Sequence, residues 1–331
     1  MTWFEKLTGC FEESPEQVRQ NLTIDGLRLH SRLNGKSWLY GELEVPTMGQ
    51  LRQRVSQIKL KRTSISVGEV VANVQQLHCE PSNADAIFQV ASQFNLLEMT
   101  SPQKTPECGV GIYEGDPTQG PACAIAAGAG TIYRNYFAEV NGKVGQTANN
   151  QIDCLVGIGS SLGNSDERLW KMENGYALPS TSGLQEINQK LASMEDAQQD
   201  ALRQALKIGM QWDTQVTLGD SSHTVSQAYC SAMPVAYTPH PAKHWAPLAT
   251  LVLEAAYEAT VCAAIANYDR TGNNRLFLTL LGGGAFGNDL DWIISAMRRS
   301  FNLYSESGLD IAIVSFRASN RSVHGLVSEF N

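Results

Sequence analysis

The chain has 331 residues, 43% of them hydrophobic, 18% charged and 8% aromatic, with 28 glycines; this composition belongs to folded globular chains and excludes disorder, collagen and coiled coil. The formal charge of −8 works against a non-specific grip on a phosphate backbone, so no nucleic-acid partner is expected. No run reaches the ~18 apolar residues of a membrane helix, and the start, Met1-Thr2-Trp3-Phe4-Glu5-Lys6, lacks the basic and apolar regions of a signal peptide; a cytoplasmic chain without a membrane partner is expected.

In chain order, Ser14-Pro15-Glu16-Gln17 reads as a capping box with proline at the first helical position, and residues 23–45 as a hairpin turning at Asn34-Gly35. Ala84-Asp85-Ala86-Ile87-Phe88-Gln89-Val90-Ala91 suits a buried strand. After a long polar loop, Pro121 opens a helix so rich in Ala and Gly that a neighbouring backbone can approach closely. Leu184, Ile187, Leu191, Met194, Leu202, Leu206 and Ile208 mark one or two amphipathic helices that should cover a sheet face. Strand and helix patterns then alternate: 223–236 strand, 244–267 helix, 275–281 strand, 289–300 helix and 309–316 strand. The order predicts an α/β fold, a mixed sheet flanked by helices. Residues 1–80 read as an accessory layer packed on a core of residues 81–331.

Seven cysteines, Cys10, Cys79, Cys108, Cys123, Cys154, Cys230 and Cys262, make an odd set without a C-x-x-C pair and read as reduced thiols. The six histidines lack H-E-x-x-H spacing, and His240 and His244 fall beside helix-breaking Pro239 and Pro241, so neither a metal nor a cofactor is expected.

The sharpest feature is the strand-like Leu276-Phe277-Leu278-Thr279-Leu280-Leu281 running into Gly282, Gly283, Gly284, Ala285, Phe286, Gly287 and Asn288 and then a helix. Such a loop aims free backbone N–H groups at one point, where the helix dipole also favours an anion; phosphate is the natural tenant, and a tight turn needing glycine is the plain alternative. The loop carries neither the Lys-Ser/Thr of a P-loop nor G-x-G-x-x-G spacing. Gln93 and Asn95, following the first strand, and Asp116, Thr118, Gln119 and Gly120, before the small-residue helix, would line the same crevice if the two strands are neighbours, although Gln93 and Asn95 suit a turn equally well. Gly159-Ser160-Ser161-Leu162-Gly163 matches a nucleophile elbow, giving a serine-hydrolase alternative on Ser161, but the polar residues after it lack the apolar periodicity of the required helix. Asp213 and Asp220 flank a β-like stretch and could divide acid and base roles if their environments differ. Glu254 and Glu258 share a helical face, read as exposed.

Together, Ala91-Ser92-Gln93-Phe94-Asn95-Leu96-Leu97-Glu98-Met99, Thr118-Gln119-Gly120-Pro121-Ala122-Cys123-Ala124 with Tyr133-Arg134-Asn135-Tyr136-Phe137, Val225-Ser226-Gln227 with Ser231-Ala232-Met233-Pro234-Val235-Ala236-Tyr237, Ala256-Tyr257-Glu258-Ala259-Thr260, and residues 280–288 resemble the macrodomain superfamily, most closely the MavL-like class of arginine-specific (ADP-ribosyl)hydrolases. The resemblance spans about residue 84 to the C-terminus, and the first eighty residues carry no macrodomain motif. It implies a macrodomain-like sheet, ADP-ribose as ligand, ADP-ribosylated proteins as substrates and hydrolysis of mono-ADP-ribose from arginine. Gln93 and Asn95 take the place of the Asn-Ala-Ala-Asn loop that meets the distal ribose, residues 116–120 that of the first glycine loop and residues 282–288 that of the phosphate loop. Asp213 and Asp220 look like members of the acidic set. A non-catalytic ADP-ribose reader would carry the same loops.

Overall fold

The computed structural model describes residues 1–59, 62–219 and 221–330. The chain opens with α1 (Trp3–Thr8), α2 (Pro15–Asn21), β1 (Leu22–Asp25), β2 (Arg28–Ser31), β3 (Ser37–Leu39), β4 (Glu42–Glu44), α3 (Met48–Ser56), β5 (Ser66–Val71) and α4 (Val74–Cys79). It continues through β6 (Ile87–Ala91), α5 (Gln119–Ala126), α6 (Gly128–Tyr136), β7 (Glu139–Val140), β8 (Lys143–Val144), α7 (Val156–Leu162), β9 (Trp170–Glu173), β10 (Tyr176–Pro179), α8 (Thr181–Ser193) and α9 (Asp196–Ala205). It closes with β11 (Gly209–Gln215), β12 (Thr224–Cys230), α10 (Ala242–Thr271), β13 (Arg275–Leu278), α11 (Leu290–Leu303), β14 (Asp310–Ser315) and α12 (Arg321–Val327).

Seven strands form one mixed sheet in the order β4-β11-β12-β6-β13-β14-β5. The run from β12 to β5 is parallel, and β11 and β4 are added antiparallel at one edge. Helices cover both faces. In β6 successive side chains point oppositely: Phe88 stacks on His78 of α4 at 3.8 Å, whereas Gln89 donates to Thr260 Oγ1 of α10 at 3.1 Å. A strand buried on both sides reads as the continuous apolar run seen in the sequence. By length and composition α10 could cross a membrane, but 89% of its most apolar stretch is buried in the protein, as befits the core helix.

Both edges of the sheet, β4 and β5, come from the first eighty residues, so the expected boundary at residue 80 is corrected: Met48, Leu51, Val55, Ile65, Val67 and Val74 belong to the main core. Only the first forty residues form a layer of their own. There Trp3, Phe4, Val18, Leu22, Leu29 and Trp38 make a second core with Leu97, Val110, Tyr113, Ile132 and Tyr136. Within that layer Ser14 caps α2 through Gln17 N–H, with Pro15 at the first helical position; the reciprocal half of the box is missing because Gln17 Oε1 faces Cys10 Sγ at 3.7 Å instead. The hairpin turning at Asn34-Gly35 joins β2 to β3, and β1 adds a third strand. Helix α5 begins two residues before Pro121. Helices α8 and α9 pack on α10 and α3 rather than on the sheet.

Glu258 corrects another expectation. It is 1% exposed and ties four helices together, accepting from Arg52 Nε of α3 at 2.7 Å and Arg299 of α11 at 2.6 Å, while Arg52 also grips Asp200 of α9 at 2.7 and 3.0 Å. Removing one partner of a buried ion cluster leaves the remaining charges uncompensated. Glu258→Gln should therefore lower unfolding free energy by about 3 kcal/mol, read from urea midpoints with unchanged slope; a loss below ~0.5 kcal/mol would show the cluster to be solvated.

Candidate functional site

The cleft begins where two central strands part. β13 pairs with β6 only at Leu276 and Phe277, opposite Ile87 and Phe88; beyond them the side chains of two glutamines take over. Gln89 Oε1 accepts from Thr279 N–H at 3.3 Å. Gln119, at the start of α5, accepts from Ala91 N–H at 3.1 Å and donates to Gln89 O at 2.9 Å. Its amide thus stands in for a neighbouring strand at the carboxyl end of β6. The approach is so close that a Cβ on Gly120 would lie 1.9 Å from Ala91 O and 2.5 Å from Glu98 Oε2, so only glycine fits there. The small-residue helix expected from the sequence is this contact.

Residues 92–99 form the floor. Gln93, 7% exposed, accepts from Met99 N–H at 2.8 Å and faces Tyr176 Oη at 3.4 Å. Leu96 is held in the left-handed region at φ 65°, and its carbonyl accepts from Arg134 Nε at 3.2 Å. Glu98 follows, 3% exposed, with Oε1 lacking a hydrogen-bond partner among the described residues and its backbone N–H bonded to Tyr113 Oη at 3.0 Å. Burial pushes the Glu98 carboxyl well above its usual range; the Arg134 charge opposes that push and the Asp116 charge adds to it. It is therefore a neutral acid in the folded protein at pH values where an ordinary glutamate is ionised.

The glycine loop closes the other side. Gly282 and Gly287 have φ of 73° and 70°, and a Cβ would meet Ala232 at 2.5 Å and Ala236 at 3.0 Å respectively. Gly284 has open space around it; the protein itself does not require glycine there, as close approach of a ligand would. Among the described residues the consecutive N–H groups of Gly284, Ala285 and Phe286 have no acceptor in the protein, which suits an anion. The rings of Tyr176, Tyr237 and Phe286, with centroids 5.0–5.5 Å apart, wall the end.

This cavity, about 140 Å³, is lined by Gln93, Glu98, Asp116, Tyr176, Phe286 and their neighbours. It shares Asp116, Thr118, Gln119, Thr279, Leu280 and Gly284 with a groove of about 790 Å³ that runs on past Asn73, Val314 and Phe316 to Trp3 and Lys6 of α1. Lys6 is the only cation lining either space among the described residues, and it pairs with Glu114 at 3.2 Å. Any anion would be held chiefly by backbone N–H groups. No converging group of His, Cys, Asp and Glu able to hold a metal occurs among the described residues.

Of the predicted residues, Gln93, Asp116, Thr118, Gln119, Gly120, Gly282, Gly284, Ala285 and Phe286 meet around this cavity. Others do not. Asn95 is fully buried, its amide bonded to Gln151 Oε1 at 2.8 Å and its oxygen to Leu97 N–H at 3.1 Å, so it builds the turn. Asn288 bonds Met233 O at 2.8 Å and, like Gly283 and Gly287, shapes the loop from behind. Asp213 sits at a bulge of β11 (φ 52°) and pairs with Arg270 at 2.5 and 2.7 Å, beside Glu42, Glu44 and Trp212. Because β11 runs antiparallel to β12, that bulge lies toward the end of the sheet opposite the cleft. Asp220 lies outside the described residues. Ser161 is on α7, exposed, with Oγ donating to Gly157 O at 3.0 Å; the segment between β8 and α7 contains no strand to lead directly into it as an elbow requires. Sequence reasoning missed Glu98, Tyr113, Tyr176 and Phe316. The signal for Glu98 was a lone carboxylate inside the apolar run Leu96-Leu97-Glu98-Met99.

No family model and no curated protein matches the chain. Among solved structures it is similar to poly(ADP-ribose) glycohydrolase from Deinococcus radiodurans in complex with ADP-ribose, with a TM-score of 0.45, 10% identity and 87% of this chain and 92% of that chain covered. It is also similar to poly(ADP-ribose) glycohydrolase from Thermomonospora curvata, with a TM-score of 0.46, 10% identity and 96% of each chain covered.

The Glu98 environment has a measurable consequence. A carboxyl whose folded pKa lies above its ordinary 4.5 keeps a proton that the unfolded chain has lost, so it lowers stability progressively as pH rises from that value toward the folded pKa. Glu98→Gln, isosteric with the neutral acid, should match wild type in melting temperature near pH 5 and exceed it at pH 8. Equal pH dependence of the two proteins would place an ionised carboxylate at position 98.

Proposed function

We propose that the chain is an ADP-ribosyl hydrolase in which ADP-ribose lies along the joined groove and cavity and Glu98 is the acid that cleaves the glycosidic bond at ribose C1″. The observation that carries this is the buried Glu98, whose Oε1 has no hydrogen-bond partner among the described residues, on the floor of a cleft rimmed by N–H groups without an acceptor among those residues. The diphosphate would meet Gly284, Ala285 and Phe286 N–H and the start of α5. The base would lie on Phe316, which is 60% exposed in the groove beyond β14. The sequence resemblance supports the same ligand.

The chemistry follows from where the proton is. As the C1″ bond breaks, the sugar takes on oxocarbenium character and the leaving atom takes the Glu98 proton; water adds to C1″ and returns a proton to the carboxylate. Asp116, half-buried with a carboxyl oxygen accepting from Thr118 N–H at 2.9 Å, is the second carboxyl of the cavity and stands beside the positive charge that develops on the sugar. A neutral acid helps most when the leaving group is an oxygen, which would otherwise depart as an alkoxide. This favours an O-linked substrate, a ribose–ribose or seryl linkage, over the arginine linkage that the resemblance implies; Asp213, meant to serve arginine, lies elsewhere.

The decisive experiment measures ADP-ribose release from poly(ADP-ribose) and from peptides ADP-ribosylated on serine and on arginine, for wild type, Glu98→Gln and Asp213→Ala. The expected result is release from an O-linked substrate, reduced at least 100-fold by Glu98→Gln and unchanged by Asp213→Ala. Release from the arginine peptide alone, lost in Asp213→Ala, would restore the arginine-specific reading. No release, with ADP-ribose still raising the melting temperature, would make the chain a reader. In the same binding assay Phe316→Ala should weaken ADP-ribose about tenfold, the loss of one base-stacking platform; unchanged affinity would remove Phe316 from the site.

A further inference from the structure

Arg134 is 1% exposed and makes no ion pair, since no salt bridge of its own occurs among the described residues. Its guanidinium donates to Leu96 O at 3.2 Å, Gln211 Oε1 at 3.3 Å and Thr131 Oγ1 at 3.0 Å, and lies 3.6 Å over the Tyr229 ring. All four partners are neutral. A buried cation normally has a carboxylate beside it, because its desolvation is otherwise hard to offset. Here the carboxyl that senses its charge is Glu98, two residues beyond the carbonyl Arg134 holds.

We propose that Arg134 is the positioning residue of this site: its bond to Leu96 O fixes the left-handed turn that aims Glu98 into the cavity, and its unpaired charge lies beneath the floor that carries that carboxyl. This rests on the reading of Glu98 as the acid. The groups facing Glu98 come from several elements: Tyr113 from the turn before α5, Asp116 from the next loop, Cys123 from α5, Tyr176 from β10 and Tyr229 from β12. Burial raises the four phenol and thiol groups above their ordinary values, which keeps them uncharged at neutral pH. Asp116 contributes a negative charge that pushes Glu98 up. Among the described residues Arg134 is the one positive charge acting on it, and so the one group there that keeps the proton transferable rather than locked on.

The test is the pH profile of turnover, on whichever substrate wild type cleaves, for Arg134→Lys, Arg134→Gln and Arg134→Met. An acid that must be protonated gives a rate that falls as pH rises through its pKa. Removing the cation should therefore move that falling limb to higher pH, by about one unit in the Gln and Met variants. Arg134→Lys should keep the wild-type limb with kcat at least threefold lower, because an ammonium retains the charge but cannot hold three acceptors in one plane. A readout independent of turnover is melting temperature between pH 5 and 8, whose decline in wild type should extend to higher pH in the neutral variants and be absent in Glu98→Gln with either residue at 134. Where a neutral side chain at 134 does not fold, the lysine variant still decides, since a shifted limb with the charge retained would overturn the proposal. Unmoved limbs in every variant, with Glu98→Gln inactive, would overturn the role of Arg134 alone; an active Glu98→Gln would overturn the acid itself.

Discussion

The parting of β6 and β13 after Phe88 and Phe277 is the constraint from which the site follows. Parallel strands that diverge leave backbone N–H and C=O groups in the protein interior, and those groups must find partners. The amides of Gln89 and Gln119 supply them, and Gln119 can reach only because Gly120 lets α5 press against Ala91 O. The same contact presses α5 against the Glu98 carboxyl. The cleft, the helix start that faces it and the burial of its acid are thus one packing solution.

The accessory layer makes this arrangement rigid from outside. Glu12 accepts from Val110 N–H at 2.8 Å, Gly111 N–H at 2.6 Å and Tyr136 Oη at 2.7 Å. Trp3 Nε1 donates to Val110 O, and Trp3 N–H and Lys6 bind the Glu114 carboxylate. These bonds hold the segment that leads into Asp116, Thr118 and Gln119. A loop that long, with only two short 3-10 turns at Pro106–Cys108 and Gly111–Gly115, would be mobile unless its backbone were tied. The first forty residues tie it, and Trp3 and Lys6 extend the far wall of the groove.

The sheet was legible to the extent that its signals were local. β6, β12, β13, β14 and the helices between them announce themselves as apolar runs or 3.6-residue periods, and so does the glycine loop. The edge strands β4 and β5 did not, because short strands exposed along one side carry little apolar signal and their pairing partners are far away in sequence. The acidic residues show the limit most clearly. Asp213 and Glu98 are each one carboxylate in a partly apolar stretch, and only the direction of the strand beneath Asp213 and the closure of α5 over Glu98 decide which is an exposed ion-pair partner and which is a buried acid. Two carboxyls divide acid and base roles only when their environments differ, and those environments are set by chain crossings that spacing does not encode.

Those crossings also bear on how a chain of net charge −8 would hold the anion of the proposed function. A cationic pocket would have to compete with the acidic surface and would pull the Glu98 proton off, since every added positive charge favours the carboxylate. Backbone N–H groups on the glycine loop and at the start of α5 would instead attract the proposed diphosphate through oriented dipoles that fall off steeply with distance. The two demands of the proposed function, anion affinity on the rim and a neutral acid on the floor, would be compatible when the rim is built from main chain, and the open space around Gly284 leaves that main chain accessible.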